Sequence, residues 1–187
     1  MKYREQYEAI HRGGAYLRDG EVTNEDHYNG GGFRAVKDEV KQFVDENPGC
    51  MLLEYGCGSS LHWHNNVQID DGMPKTLAHF LGKNLGGFYR YDPFHPIYKL
   101  RPPKTKYDCV IVTDVLEHIP VDELPTVLND IYEHTCSCGK IFFSISTKPS
   151  KNCFIDGENT HCTIKKPQWW NKMLKKYIKR KMFIKYN

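Results

Sequence analysis

The segment Met51-Leu-Leu-Glu-Tyr-Gly-Cys-Gly-Ser-Ser60 constrains the fold of this chain more than any other part of its sequence. A short apolar run ends in an acidic residue and is followed at once by a Gly-x-Gly turn. That order predicts a buried strand whose carboxyl end opens into a tight loop, which is where open α/β sheets bind nucleotide-like ligands. Gly56 and Gly58 allow the backbone to turn sharply and to approach a ligand, because they have no Cβ. A tight turn without a ligand is the alternative interpretation.

Glu54 and Leu61 narrow the kind of ligand that this loop can bind. A carboxylate beside the loop repels a pyrophosphate, but it attracts an ammonium group or accepts hydrogen bonds. Leu61 stands where the dinucleotide fingerprint G-x-G-x-x-G requires its third glycine. The loop therefore favours a cationic nucleoside ligand without phosphates, and S-adenosylmethionine is a ligand of that kind.

Two further apolar strands are predicted to end in an acidic residue. The segment Gly87-Phe-Tyr-Arg-Tyr-Asp92 follows the first strand by roughly one helix, which places Asp92 beside the first loop. There a carboxylate can accept hydrogen bonds from both ribose hydroxyls. Taken alone, Asp92 is a turn former before Pro93. The continuous apolar run from Cys109 to Thr113 predicts a strand buried on both faces of a parallel sheet, and it ends in Asp114.

Together these motifs resemble the class I (Rossmann-like) S-adenosylmethionine-dependent methyltransferases. The resemblance covers roughly residues 33–175, and it rests on Glu-x-Gly-x-Gly at 54–58, Tyr-Asp-Pro at 91–93 and Tyr-Asp-x-Val-x-Val-x-Asp-Val-Leu-Glu-His-Ile-Pro at 107–120. An Asp-Gly-x-Asn-x-His segment at 156–161 and a Trp-Trp pair resemble a compact bacterial or phage-type branch. The resemblance implies S-adenosylmethionine as the cofactor, bound by Glu54, Gly56, Gly58, Asp92 and Asp114.

One region departs from the pattern of that superfamily. Residues 93–106 are rich in Pro and Lys and leave little room for the helix and third strand that the superfamily usually has there. The acidic residue that commonly holds the adenine amino group from that region has no clear counterpart. Stacking or backbone contacts are therefore expected to hold the adenine.

The periodicity of apolar residues predicts a single α/β domain over residues 1–187, with a doubly wound, mostly parallel sheet. The predicted helices are 3–12, 34–46, 74–84, 121–134 and 167–178, and the predicted strands are 51–55, 87–91, 108–113, 140–146 and 181–186. Residues 18–32 are polar and glycine-rich. Residues 1–32 are thus interpreted as a helix and a flexible lid on a core of 33–187.

Two histidines are candidates for a catalytic base. His118 follows the central strand and His161 lies on a polar loop after the last long apolar strand, so both are expected at the carboxyl edge of the sheet. A base that removes a proton from a hydroxyl or amine acceptor contributes about 10²–10⁴-fold to the rate. Asp156 is expected to orient the imidazole of His161. A purely structural role at a helix start is the alternative for His118.

Other residues are candidates for binding. Asn159, Trp169 and Trp170 are expected to contact the acceptor, although one tryptophan can instead pack the last helix onto the sheet. Tyr16 is a candidate to reach the methionine carboxylate of the cofactor. His62-x-His64 has the spacing of a metal-ligand pair, but no matching cluster accompanies it, so no metal site is expected.

The charge of the chain is unevenly distributed. From Lys165 to Asn187 there are nine Lys or Arg and no Asp or Glu, and because the whole chain carries +3, the first 164 residues carry −6. Such a basic tail predicts either contact with nucleic acid or another polyanion, or a solvated surface. No Asn/Asp-Pro-Pro-Tyr motif, the usual mark of base-amino methylation, follows the central strand.

Three functions are compatible with these features. The first is methyl transfer to an oxygen or nitrogen atom of a small polar acceptor, such as a sugar or a sugar nucleotide. The second is methylation of nucleic acid, and the third is cofactor binding without turnover. No apolar run approaches the roughly 20 residues that span a bilayer, and the first residues lack the apolar core of a signal peptide. Seven cysteines, an odd number, favour free thiols in a cytoplasmic protein.

Overall fold

A computed structural model of the protein describes residues 3–24, 31–60, 81, 85–103 and 106–187. The strands are β1 (Tyr16–Arg18), β2 (Glu21–Thr23), β3 (Cys50–Tyr55), β4 (Leu85–Tyr91), β5 (Tyr107–Thr113), β6 (Thr135–Ile145), β7 (Asn152–Cys153) and β8 (Lys181–Tyr186). The described helices are α1 (Arg4–His11), α2 (Gly31–Ala35), α3 (Lys37–Asp45), α4 (Leu124–His134) and α5 (Pro167–Tyr177), and a 3₁₀ turn covers Leu116–His118.

The central sheet contains five strands in the order β4-β3-β5-β6-β8, and every neighbouring pair is parallel. Parallel neighbours require crossover connections, and in the described part of the chain α4 lies between β5 and β6 and α5 lies between β6 and β8. This architecture confirms the predicted α/β fold with a parallel sheet. Strand β4 is the edge of the sheet in the described part of the chain, and residues 93–103 form neither helix nor strand. The shortened region after the second long strand is thus seen in the structure.

Each face of the central sheet has its own apolar core, because side chains alternate along a strand. Leu52 of β3 packs on the side of α2 and α3, in a cluster with Val40 and Phe43. Its neighbour Leu53 packs on the side of α4 and α5, in a cluster with Leu128 and Trp170. The carboxyl ends of the strands are left uncovered by these two layers, and the loops that follow them form one edge of the domain.

A second, small sheet differs from the sequence prediction. A polar loop was expected from residue 18, but β1 and β2 form a hairpin, and β7 pairs antiparallel with the other side of β1. The hairpin turns at Asp19 and Gly20, which have φ angles of 50° and 88°. Asp-Gly is a favoured pair for such a two-residue turn, because both positions need positive φ. Residues 25–30 of the predicted lid lie outside the described residues.

The remaining predictions concern strand boundaries, one helix, the cysteines and membrane spans. The predicted long strands agree with the structure, except that β6 begins five residues earlier than expected, at Thr135. The helix expected over 74–84 lies outside the described residues apart from the buried Leu81, and His62 and His64 also lie outside them. All seven cysteines are free. Among the described helices, none is long and apolar enough to cross a membrane.

Candidate functional site

A cavity of about 310 Å³ lies at the carboxyl edge of the central sheet. The lining of this cavity includes two groups of residues. We call the first the glycine-loop wall, which consists of Glu54, Gly56, Gly58, Asp92 and Asp114. We call the second the histidine wall, which consists of Tyr3, Tyr7, Phe94, His118 and His161. The sequence predicted all five residues of the glycine-loop wall and the two histidines of the other.

The backbone of the glycine loop is held against the end of β4. The amides of Gly56 and Cys57 both donate to the carbonyl oxygen of Tyr91, at 2.7 and 3.1 Å. Gly56 has a φ of 78°, and a Cβ at this position would overlap the side chain of Val115. Only glycine meets both conditions without strain, so the loop can approach the cavity with its backbone.

Asp92 is fixed beside that loop. Its Oδ2 accepts a hydrogen bond from the Gly58 amide at 3.1 Å, and its Oδ1 accepts one from the Phe94 amide at 2.9 Å. His11 Nε2 lies 3.8 Å from the same Oδ1. Each carboxylate oxygen has two lone pairs, so these contacts orient the group and leave capacity to accept bonds from a ligand.

Two further carboxylates line the same wall. Glu54, at the end of β3, is buried, with 2% of its surface exposed. Asp114 follows β5 with a φ of 53°, an uncommon conformation for a residue other than glycine that is often found at functional sites. Burial raises the pKa of Asp114, whose Oδ1 accepts a hydrogen bond from Ser144 Oγ at 3.2 Å. Three acidic side chains around one loop make this wall suitable for a cationic ligand.

Both histidines of the histidine wall are held by main-chain carbonyl groups. His118 Nδ1 lies 2.9 Å from the carbonyl oxygen of Thr160, and His161 Nδ1 lies 2.7 Å from that of Lys148. A carbonyl oxygen can only accept, so a hydrogen bond to it requires the proton on Nδ1. The Tyr7 hydroxyl also lies 3.1 Å from His118 Nδ1, and it donates to the same Thr160 carbonyl oxygen at 3.1 Å. The lone pair of a neutral imidazole then lies on Nε2, which is the arrangement that a general base needs. The two rings meet edge to face, with centroids 4.7 Å apart.

The charge state of His161 also suits a base. Burial lowers its pKa, and this effect outweighs the opposing influences of the Lys148 carbonyl and of Asp114. The neutral ring is therefore the dominant form at neutral pH. Since Asp114 interacts electrostatically with His161, the two walls meet at this pair.

Asp156 and Asn159 do not line the cavity in the described part of the chain. Asp156 accepts hydrogen bonds from the Gln6 side chain at 2.7 Å and from the Glu158 amide at 3.0 Å, so these contacts, and not one to His161, occupy it. Asn159 Oδ1 accepts from the amide of His161 at 2.9 Å. Asn159 thus supports the loop that carries His161, and its predicted contact with the acceptor stays a prediction.

Tyr16, Trp169 and Trp170 also lie away from the described lining of the cavity. Tyr16 is fully buried in β1, and its hydroxyl accepts a hydrogen bond from Arg18 at 2.6 Å. Trp170 is fully buried in the core under α5, which corrects its expected contact with the acceptor. Trp169 packs against the same core, with its ring 5.1 Å from that of Trp170. The two tryptophans therefore pack α5 onto the sheet together with Leu174.

Sequence reasoning missed the contribution of α1. Tyr3, Tyr7 and His11 all line the cavity. They recur at intervals of four residues, which places them on one face of a helix, and this spacing was a readable signal. Phe94 was also missed, and its ring stacks on that of Tyr7 with 5.9 Å between centroids.

One of three comparisons with known proteins found a match, and the matched family is one of enzymes that transfer methyl groups. A family model described as a methyltransferase domain matches residues 28–181. No curated protein and no solved structure matches the chain. The matched range contains the whole glycine-loop wall and both histidines, but it begins after α1 and therefore excludes Tyr3, Tyr7 and His11.

Proposed function

The chain belongs to the methyltransferase domain family, and from that membership we propose that it transfers the methyl group of S-adenosylmethionine to an oxygen or nitrogen atom of a small polar acceptor. A sugar or a sugar nucleotide is an acceptor of this kind. The observation that supports the proposal most is the meeting of two walls in one cavity, one with three carboxylates beside a glycine loop and one with two histidines.

The residues of the glycine-loop wall fit this cofactor. When bound, S-adenosylmethionine supplies a methyl group on a sulfonium that is already activated for attack by a nucleophile. Glu54 and Asp114 give the wall a negative potential that suits a cationic ligand. Asp92 would accept hydrogen bonds from the ribose hydroxyls, and the bare backbone at Gly56 permits close approach. The apolar Phe94 beside Asp92 would stack on the adenine, in place of a carboxylate.

His161 is the proposed base. Its Nε2 lone pair would take a proton from a hydroxyl or amine of the acceptor, while the Lys148 carbonyl keeps the other nitrogen protonated. Asp114 would stabilise the resulting imidazolium. His118, with the same tautomer, would be the base if His161 were not. Alignment of acceptor and donor in the cavity is worth up to about 7–11 kcal/mol, and the base about 10²–10⁴-fold in rate.

Calorimetric titration with S-adenosylmethionine and with S-adenosylhomocysteine tests the cofactor. We expect both to bind with dissociation constants on the order of micromolar, which corresponds to about −8 kcal/mol. Failure of both to bind would contradict the proposal at its first step.

Incubation of the protein with methyl-labelled S-adenosylmethionine and a cell lysate then tests the acceptor. The lysate is separated afterwards into low-molecular-weight, nucleic-acid and protein fractions. Label in the first fraction is the expected result. Cofactor binding without label in any fraction would favour a protein that binds the cofactor without turnover.

A second candidate, methylation of nucleic acid, has one specific observation in its favour. Lys172, Lys175, Lys176 and Lys179 are all exposed, at the helical spacing that places them opposite the buried side of α5. In the described part of the chain none of the four forms an ion pair with a carboxylate. Label in the nucleic-acid fraction, reduced strongly by added salt, would support this candidate over the first.

A further inference from the structure

Glu117 is a buried acid that the proposed chemistry does not use. It lies in the 3₁₀ turn directly before His118 and is completely inaccessible to solvent. Its Oε2 has no hydrogen-bond partner among the described residues, although its Oε1 accepts from the Ser146 amide at 2.7 Å. A buried charge is costly, so a carboxyl group with one unpartnered oxygen is best accommodated in its neutral form. Consistent with this, burial and the neighbouring Asp114 raise its pKa to about 8.

The hydrogen bonds of Glu117 lead to the group that orients His161. Ser146, whose amide donates to Glu117, donates through its own hydroxyl to the Lys148 carbonyl at 3.3 Å. The same carbonyl accepts the bond from His161 Nδ1. A continuous path of three hydrogen bonds therefore joins the Glu117 carboxyl group to the His161 ring.

The main chain of Glu117 holds the other side of the histidine wall. Its carbonyl oxygen accepts a hydrogen bond from the Thr163 amide at 2.9 Å, and Thr163 Oγ1 donates to the Ile119 carbonyl at 2.6 Å. These two bonds tie the 3₁₀ turn to the segment that contains Thr160, whose carbonyl orients His118.

From these contacts we infer that Glu117 is a positioning residue, whose side chain holds His161 in the tautomer with Nδ1 protonated. The use of that tautomer in catalysis rests on the proposed function. The presence of the tautomer itself does not. Without the Glu117 carboxyl group, the half-buried Ser146 amide would lose its partner, and the 146–148 segment would move to recover a bond. The Lys148 carbonyl would move with it.

The tautomers can be observed directly in the ¹⁵N-labelled full-length protein, with no cofactor or acceptor present. Two-bond ¹H–¹⁵N spectra distinguish a protonated from an unprotonated ring nitrogen, and the spectra of His118→Gln and His161→Gln assign the signals. We expect wild type and Glu117→Gln to show protonated Nδ1 in both rings, since glutamine is a neutral isostere that can still accept from Ser146. We expect Glu117→Leu, which cannot accept, to lose this preference at His161.

Glu117→Asp serves as a second variant in case the leucine variant does not fold, because its shorter side chain falls short of the Ser146 amide. Glu133→Gln, at an exposed position on α4, is the matched control and should leave both rings unchanged. Retention of the wild-type tautomer at His161 in a folded Glu117→Leu or Glu117→Asp protein would overturn the inference. Loss of that tautomer in Glu117→Gln would overturn it as well.

A kinetic measurement separates this inference from the proposed function. If methyl transfer is observed, Glu117→Asp should lower its rate about 10- to 100-fold, as expected for a misplaced base, while cofactor affinity stays within about twofold. Glu117→Gln should keep the rate of the wild-type protein. If no transfer is found for wild type, the proposed function fails, and the tautomer spectra still decide the role of Glu117.

Discussion

The two walls of the cavity are built in different ways. The glycine-loop wall consists of strand ends and the residues directly after them, and its key bond joins Gly58 to Asp92, 34 positions apart. The histidine wall is assembled from distant parts of the chain, since Tyr7 contacts His118 and Thr160 across 111 and 153 positions. The family match covers all of the first wall but not the α1 residues of the second. The wall that we propose for the cofactor is thus encoded in short motifs, whereas the wall that we propose for the acceptor depends on tertiary assembly.

The largest effect on methyl transfer is expected from His161→Ala. This variant distinguishes the roles of the two walls most clearly, because it changes only the histidine wall. Loss of the base should lower methyl transfer by about 10²–10⁴-fold. Cofactor affinity, measured by calorimetry, should change little, because among the described residues the hydrogen bonds of His161 go to Lys148 and Asn159 and not to the glycine loop. If transfer survives, His161 is structural and His118 becomes the better candidate for the base.

Asp92→Ala changes the glycine-loop wall and should weaken cofactor binding. Removing a carboxylate that accepts ribose hydroxyls costs about 1.5–3 kcal/mol, which weakens cofactor binding about 10- to 100-fold. The matched control is Asp156→Ala, which removes an exposed acid outside the cavity and should leave the affinity unchanged. Unchanged affinity in a folded Asp92→Ala protein would remove Asp92 from the proposed cofactor site.

The loss of methyl transfer on acidification should come from His161, in the histidine wall. Because burial lowers the pKa of His161, the ring stays neutral to a lower pH than the ordinary value of 6.5. The rate of transfer should therefore fall on acidification with a midpoint below that value, and NMR titration of the ring should give the same midpoint. The stability that His161 contributes is present above pH 6.5 and is lost as the pH falls through the lowered pKa. A midpoint at or above the ordinary value would contradict this assignment.

The smallest effect on the site is expected from Tyr16→Phe. The change removes a hydroxyl that accepts from Arg18, so thermal or denaturant unfolding should show a loss of about 1 kcal/mol. Cofactor affinity should stay within error of wild type, because Tyr16 is buried in the hairpin. A clear loss of affinity would restore the role that the sequence suggested for it.

The centre of the parallel sheet was predictable, because β3 and β5 are mostly apolar runs, the first followed by a glycine turn and the second by an acid. The runs 51–55 and 108–113 correspond closely to β3 and β5. The hairpin was missed, although Asp19-Gly20 is a strong turn signal, because β1 and β2 are only three residues long. Strand β1 also pairs with β7, whose position no local pattern indicates.

The residues that the sequence predicted for the site show the same difference between local and tertiary signals. Glu54 and Asp92 were recognisable because their position after a strand fixes their location. Asp156 and Trp170 were assigned to the site by their residue type, yet the first bonds to Gln6 and a loop amide and the second fills the core. Residue type alone does not decide between a ligand contact and a structural one. The orienting carbonyls of Thr160 and Lys148 are main-chain groups, so no side-chain pattern could have revealed them.

The pairing of the chain's first helix and hairpin with residues near 152–160 also bears on biosynthesis. During translation, at roughly 5–20 residues per second, the segments of β3, β4 and β5 emerge together, whereas α1 must wait for its partners. Contacts of such large sequence separation form slowly even in refolding. In pulse-labelled hydrogen exchange during refolding, the Gly58 amide should gain protection before the Asp19 amide, which donates to the Lys151 carbonyl oxygen, and the reverse order would refute this. We expect the newly made enzyme to be able to hold its methyl donor before it can accept anything to methylate.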